Sequence, residues 1–141
     1  MKDKTVLISG GTRGIGKGIA IEFSKNGYNV VISYRSNLKL AEEVSKNLSE
    51  KGGKCSFINM FLESEQSITD AIKQIEDQFG SIDIIINNAA YSQEKPFLEI
   101  SAKDWEDIMQ TNLRGAFLLN QKVIPGMILK KWGRIINISS I

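Results

Sequence analysis

The chain has 141 residues, 42% hydrophobic and 24% charged, with a net charge of +2, enough for one domain with a sizeable core and an ordinary globular composition. So small a charge, carried by scattered basic residues, argues against a nucleic-acid partner, and no apolar run approaches membrane-spanning length. The single cysteine, Cys55, excludes an internal disulfide, and the absence of histidine excludes His-based catalysis and His-ligated metals, so no metal is expected.

The first residues, Met-Lys-Asp-Lys, pass straight into a strand, leaving no room for a signal peptide, so a cytoplasmic location is expected. Thr5-Val6-Leu7-Ile8 has the β-branched, apolar character of a buried strand. The stretch Ser9-Gly10-Gly11-Thr12-Arg13-Gly14-Ile15-Gly16 follows, and then a helical pattern in which Ile15, Ile19 and Phe23 recur every four residues. A glycine-rich turn between strand and helix brings backbone N–H groups to the positive end of a helix, which suits a phosphate or pyrophosphate. Gly10 is expected to make the tight turn, and Gly14 and Gly16 to permit close approach of ligand and neighbouring strand. On this stretch alone, a glycine-rich loop that binds no nucleotide remains an alternative.

The first helix is expected to stop at Asn26-Gly27. Asn29–Tyr34 reads as a second buried strand. A helix from about Leu38 to Glu50, with Leu40, Ala41, Val44 and Leu48 on one face, ends at Gly52-Gly53. A third strand is placed around Cys55 to Met60. Ser64 is a candidate N-cap for a helix whose apolar face is Ile68, Ala71, Ile72, Ile75 and Phe79, closed by Gly80. Ile82–Ile86 is a fourth strand, leading into Asn87-Asn88-Ala89-Ala90. After a loop containing Pro96, Ser101-Ala102-Lys103-Asp104 resembles a capping box before Trp105, Ile108 and Met109. A longer helix is predicted from near Asn112 to Lys131, kinked or missing a hydrogen bond at Pro125. Arg134–Ser139 is the fifth strand.

Strands alternating with helices at this spacing predict right-handed βαβ units and a parallel sheet. Ending so soon after a buried strand suggests the N-terminal part of a longer protein. Ile135, Ile136 and Ile138 would then face an unprotected edge, so residues 1–141 alone are expected to self-associate.

The glycine stretch resembles the Thr-Gly-x-x-x-Gly-Ile-Gly signature of the short-chain dehydrogenase/reductase family, with Ser9 in place of the Thr. Further features match in the same order. Asn87-Asn88-Ala89-Ala90 is similar to the family's Asn-Asn-Ala-Gly, with Ala90 replacing the Gly. Asn112, in Thr-Asn-Leu-Arg-Gly, matches the family's helix Asn, although alone it would read as a polar helix-start residue. Ser139-Ser140 matches the family's paired Ser, although alone it would read as a turn. The resemblance covers essentially the whole chain and looks closest to the 3-oxoacyl-[acyl-carrier-protein] reductases.

The resemblance implies an α/β doubly wound parallel sheet, the Rossmann fold, in strand order 3-2-1-4-5 and truncated after strand five. It also implies hydride transfer between NADP(H) and a carbonyl or alcohol, on a small-molecule or acyl-thioester substrate. Ser140 would polarise the carbonyl, and the local kink at Asn112 would hold a water of the proton relay. Cofactor contacts are expected from Gly10, Thr12, Arg13, Gly14, Ile15 and Gly16, from Tyr34-Arg35-Ser36 at the end of strand two, and from Asn88, Ala89 and Ala90. Strand two ends without the carboxylate that would bind the ribose 2′-OH of NAD. Arg13 and Arg35 fit the 2′-phosphate of NADP, or are otherwise ordinary solvated residues.

Where the family has an adenine-contacting Asp after strand three, this chain has Phe61, which either stacks on the base or is merely tolerated. The family's Tyr-x-x-x-Lys pair lies about a dozen residues beyond the catalytic Ser, where this sequence has already ended. Of the three tyrosines, Tyr28, Tyr34 and Tyr91, none is expected to serve as general acid. The full protein is expected to be a homo-oligomer, a dimer or tetramer, using the long helix. The rival reading is a non-catalytic NAD(P)-binding sensor or regulatory module of the same fold.

Overall fold

The computed structural model describes residues 3–50 and 52–140. Strands β1 (Thr5–Ile8), β2 (Asn29–Tyr34), β3 (Cys55–Asn59), β4 (Ile84–Asn87) and β5 (Arg134–Asn137) form one sheet in the order β3-β2-β1-β4-β5. Every neighbouring pair is parallel, as the sequence predicts.

Strand alternation divides the core. Leu7, Val31 and Ile85 point to one face, where they meet Ile68, Ile72 and Ile75 of α3 (Glu65–Phe79) and Leu118, Leu119 and Val123 of α5 (Gly115–Leu129). Val6, Ile8, Val30, Ile32, Ile84 and Ile86 point to the other, against Ala20 of α1 (Gly14–Lys25) and Val44 and Leu48 of α2 (Leu38–Ser49). Burying each large aliphatic side chain contributes about 1.5–3 kcal/mol, so the two layers supply most of the driving force.

The apolar residues whose recurrence marks α1 in the sequence are not its buried face. Gly16, Ala20 and Ser24 are buried, whereas Ile15 is 64% exposed and Ile19 and Phe23 are only partly covered. Small residues let this helix lie close to the sheet, and its larger side chains flank the contact. Four strand ends also shift: β3 stops at Asn59, β4 begins at Ile84 and stops at Asn87, and β5 stops at Asn137.

The largest difference is at Asn112. Helix α4 (Ala102–Met109) opens with the expected capping box: Ser101 Oγ accepts from the Asp104 amide, and Asp104 accepts from the Ser101 amide. It does not end before a new helix. Gln110–Arg114 form a π turn, and the backbone stays helical at Met109 and Gly115, so α4 and α5 are one run with a bulge at Asn112. Helix α5 continues through Pro125.

At the junction, Gly115 rests on the loop after β3. A Cβ there would lie 2.7 Å from Leu62 Cβ and 2.8 Å from the Leu62 carbonyl oxygen. The amino-terminal end of the sheet is closed by buried Asp83, which accepts from the Thr5 amide at 2.8 Å and from Lys130 Nζ at 3.0 Å. At the β5 edge, Ile135 and Ile136 are 39% and 44% exposed.

Candidate functional site

Three turns meet at the carboxyl ends of β1, β2 and β4, and hydrogen bonds join them into one frame. Ser9 Oγ accepts from the amides of Asn88 (2.9 Å) and Ala89 (3.0 Å) and donates to the Ile86 carbonyl at 3.3 Å. Asn88 Nδ2 returns the connection by donating to the carbonyls of Ser9 and Gly10, at 3.0 and 3.1 Å. The Gly10 amide donates to Ser33 Oγ, and the Gly11 amide to the Ser33 carbonyl, both at 3.2 Å. The hydroxyls of Ser9 and Ser33 thus bind the glycine turn to both neighbours.

The frame explains two glycines. Gly10 has φ +66°, and a Cβ there would lie 3.0 Å from Ala89 Cα. A Cβ on Gly16 would lie 2.5 Å from both Asn88 Nδ2 and the Gly10 carbonyl oxygen. Gly16 therefore serves the packing of helix against turn.

In front of the frame lies a cavity of about 460 Å³. Gly10, Thr12 and Arg13 line one side, Tyr34, Arg35 and Ser36 another, and Asn88, Ala89 and Ala90 a third. Nine of the predicted site residues therefore share one cleft. Gly14, Ile15 and Gly16 do not line it, although they form the first turn of α1, whose N-cap, Arg13, makes no side-chain capping hydrogen bond. A helix start without such a cap, on a turn that lines the cleft, fits a dinucleotide phosphate.

Phe61, placed by the sequence reading either against the adenine or as a tolerated substitution, does not line the cleft. Met60 and Leu62 do, and both are buried. The 37% exposed Phe61 donates its amide to Ser67 Oγ. Glu63, next along, lines the cleft, and its carboxylate stands 2.8 Å from Arg35 Nη2. Asn59 Nδ2 holds the turn that carries this arginine, donating to the carbonyls of Tyr34 (3.2 Å) and Arg35 (2.8 Å).

Asn112 lies outside the cleft but grips its rim. Its Oδ1 accepts from the Tyr91 amide at 2.8 Å, and its Nδ2 donates to the Tyr91 carbonyl at 2.9 Å. Tyr91 and Thr111 both line the cleft. By count, Tyr91 to Lys95 does have Tyr-x-x-x-Lys spacing, which the sequence reading overlooked. The segment is not helical, so the spacing does not stack the two side chains. Lys95 instead pairs with Asp104 at 2.7 Å, and Tyr91 Oη accepts from Gln93 Nε2 at 3.0 Å.

Ser140 is exposed and lies three residues past the end of β5, at the carboxyl side of the sheet. Nearby, Asn87 Nδ2 donates to Asn120 Oδ1 (3.0 Å) and Asn137 Oδ1 (2.8 Å), and Asn87 Oδ1 is buried without a partner. Asn120 and Asn137 escaped the sequence reading, although an Asn inside an apolar helix or strand is a signal for a polar network. Among the described residues no helix is long and apolar enough to cross a membrane, and no three His, Cys, Asp or Glu groups gather as metal ligands.

Comparison with known proteins bears on this geometry. The sequence profile of the short chain dehydrogenase family matches residues 4–141. The 3-oxoacyl-[acyl-carrier-protein] reductase FabG of Staphylococcus epidermidis is 34% identical over 139 residues, covering 99% of this chain and 57% of that protein. Its counterpart from Aquifex aeolicus is 39% identical over 142 residues, covering 100% and 57%. The crystal structure of a metagenomic short-chain oxidoreductase in complex with NADP superposes with a TM-score of 0.94 at 27% identity, over 99% of this chain and 63% of that one. The chain thus spans a little over half the length of the curated relatives it matches. With its glycine turn, Asn-Asn-Ala-Ala turn and 3-2-1-4-5 sheet, it belongs to the short-chain dehydrogenase family.

Proposed function

We propose that the chain is the cofactor-binding portion of an NADP(H)-dependent oxidoreductase acting on a carbonyl or alcohol, with a 3-oxoacyl thioester as substrate class. The observation that carries this reading is the placement of Arg13 and Arg35 in the same cleft as the glycine turn. A guanidinium at the end of β2 matches a 2′-phosphate in charge and geometry. The NADP complex of the metagenomic oxidoreductase and the activity named for the two reductases support the same choice.

When bound, the nicotinamide supplies or accepts the hydride. The chain's own residues do the rest in this reading. Gly10 and Thr12, with the first turn of α1, receive the pyrophosphate. Met60 and Leu62 are an apolar wall for the adenosine. Ser140 donates its hydroxyl to the substrate carbonyl oxygen, fixing and polarising it. Asn112 is a positioning residue that holds the Tyr91 backbone at the rim. The general acid belongs to the part of the family's length that this chain does not span. A homo-oligomer and a cytoplasmic location go with the reading; the exposed Trp105, Leu113 and Phe117 of the long helical run would supply the subunit contact.

The test is NADPH oxidation by the full-length protein with an acetoacetyl thioester. Turnover that Ser140→Ala removes, with none from residues 1–141 alone, is the expected result. NADPH binding without turnover of any carbonyl would favour the non-catalytic module, and tighter binding of NADH than NADPH would overturn the cofactor assignment.

A further inference from the structure

The guanidinium assigned to the cofactor already has an anion on it. Arg35 and Glu63 meet at 2.8 Å, both line the cleft, and neither belongs to the frame of turns behind it. The two partners are anchored differently. The Arg35 carbonyl is fixed by Asn59, while its long side chain, 59% exposed, reaches across the cleft mouth. Glu63 stands on a loop with little freedom. Its predecessor Leu62 is buried against Gly115, its successor Ser64 caps α3, and its own carbonyl accepts from Arg114. The backbone on both sides of Glu63 is thus held, and side-chain rotation is the simplest way to move the carboxylate off the arginine.

Resting on the reading that Arg35 takes the 2′-phosphate, we propose that Glu63 is a specificity-determining residue. It competes with the 2′-phosphate for the Arg35 guanidinium and so narrows the preference for NADP over NAD. An arriving 2′-phosphate brings about −1.5 to −2 charges to a site that already holds one carboxylate. It must share the guanidinium or displace Glu63, and in both cases it meets like-charge repulsion that a 2′-hydroxyl does not. A cofactor without the phosphate leaves the pair intact and meets no such repulsion. One substitution should therefore act on the two cofactors unequally. The arginine is 59% and the glutamate 31% exposed, so the pair is partly screened, which limits the effect to about threefold to tenfold.

The experiment uses the full-length protein with NADPH, NADH and 2′,5′-ADP as probes, and dissociation constants read by titration calorimetry. In Glu63→Gln, NADPH and 2′,5′-ADP should bind about threefold to tenfold more tightly, while NADH changes less than about twofold. Glu63→Ala should behave alike, since only the carboxylate matters. The gain should vanish when Arg35→Gln is added. If Arg35→Gln weakens 2′,5′-ADP but Glu63→Gln leaves it unchanged or weaker, the competition is refuted and the arginine assignment stands. If Arg35→Gln leaves both NADPH and 2′,5′-ADP unchanged, the arginine assignment fails and the competition falls with it. Equal tightening of NADH would also refute it.

Discussion

Asn112 grips Tyr91 by both halves of its peptide backbone, accepting from the amide at 2.8 Å and donating to the carbonyl at 2.9 Å. The side chain sits in the π turn Gln110–Arg114, so the bulge in the long helical run and the rim of the cleft form one device. Replacing Asn112 by Ala should free the Tyr91 amide, raising its hydrogen-exchange rate about tenfold while the α3 core amides stay unchanged. Asn112→Asp keeps the acceptor and loses the donor, so it should give an intermediate value. Unchanged protection at Tyr91 in both variants would refute the clamp.

Ser9 joins three backbone groups through a single oxygen. Ser9→Ala should lower unfolding free energy by about 1–3 kcal/mol, because two amides lose their acceptor. It should also weaken NADPH binding, since the glycine turn loses its brace. Urea denaturation and cofactor titration check both; a variant with unaltered stability would show that the oxygen is dispensable.

Gly16→Ala places a methyl 2.5 Å from the Gly10 carbonyl oxygen and from Asn88 Nδ2. Relief requires moving α1 off the turn, so a loss of about 1–3 kcal/mol is expected, with NADPH binding weakened at least tenfold. Gly18→Ala, where nothing lies within 4 Å, is the control and should be neutral or stabilising. Equal behaviour of the two variants would contradict the packing.

Asp104 gives a pH dependence. The Lys95 ammonium beside it, helped by the Ser101 backbone and hydroxyl, holds its carboxyl well below the usual carboxylate range. A depressed folded-state pKa means the stabilisation is present above the unfolded value of about 3.9 and is lost as pH falls through the folded value. Asp104→Asn should therefore be less stable than the unmutated protein near neutrality, and the difference should begin to shrink only as pH falls below about 4. Parallel curves down to about pH 2 would dissociate the carboxylate from stability.

The β5 edge should govern the behaviour of residues 1–141 alone, because Ile135 and Ile136 are exposed on a strand that pairs with β4 on one side only. Light scattering should show concentration-dependent association, reduced by Ile136→Lys. A stable monomer at high concentration would contradict this.

The frame of the fold was legible because it rests on local patterns. Ile68, Ala71, Ile72 and Ile75 recur at helical spacing and are buried, and Ser64 and Ser101 cap the helices they precede. The glycine turn, Arg35 and Asn88 were legible because backbone geometry and charge restrict those positions. What escaped depends on contacts between distant segments. Ser33 looks like one polar residue in an apolar strand until Gly10 is seen 3.2 Å away. Glu63 carries no local signal of its partner 28 positions earlier in sequence. Phe61 stands between Met60 and Leu62, which line the cleft while it does not, and no local pattern in the sequence separates the three. The apolar period of helix α1 does not mark its buried face, because close seating on the sheet selects small residues.

Gly115 has no side chain, and the backbone of the long helical run rests directly on Leu62, whose own side chain faces the cleft. At that point the helix backbone directly backs a residue of the cleft wall. Pressure on Leu62 would pass to the helix with no side chain of position 115 in between. A methyl at position 115 would reach the ligand as a displaced wall.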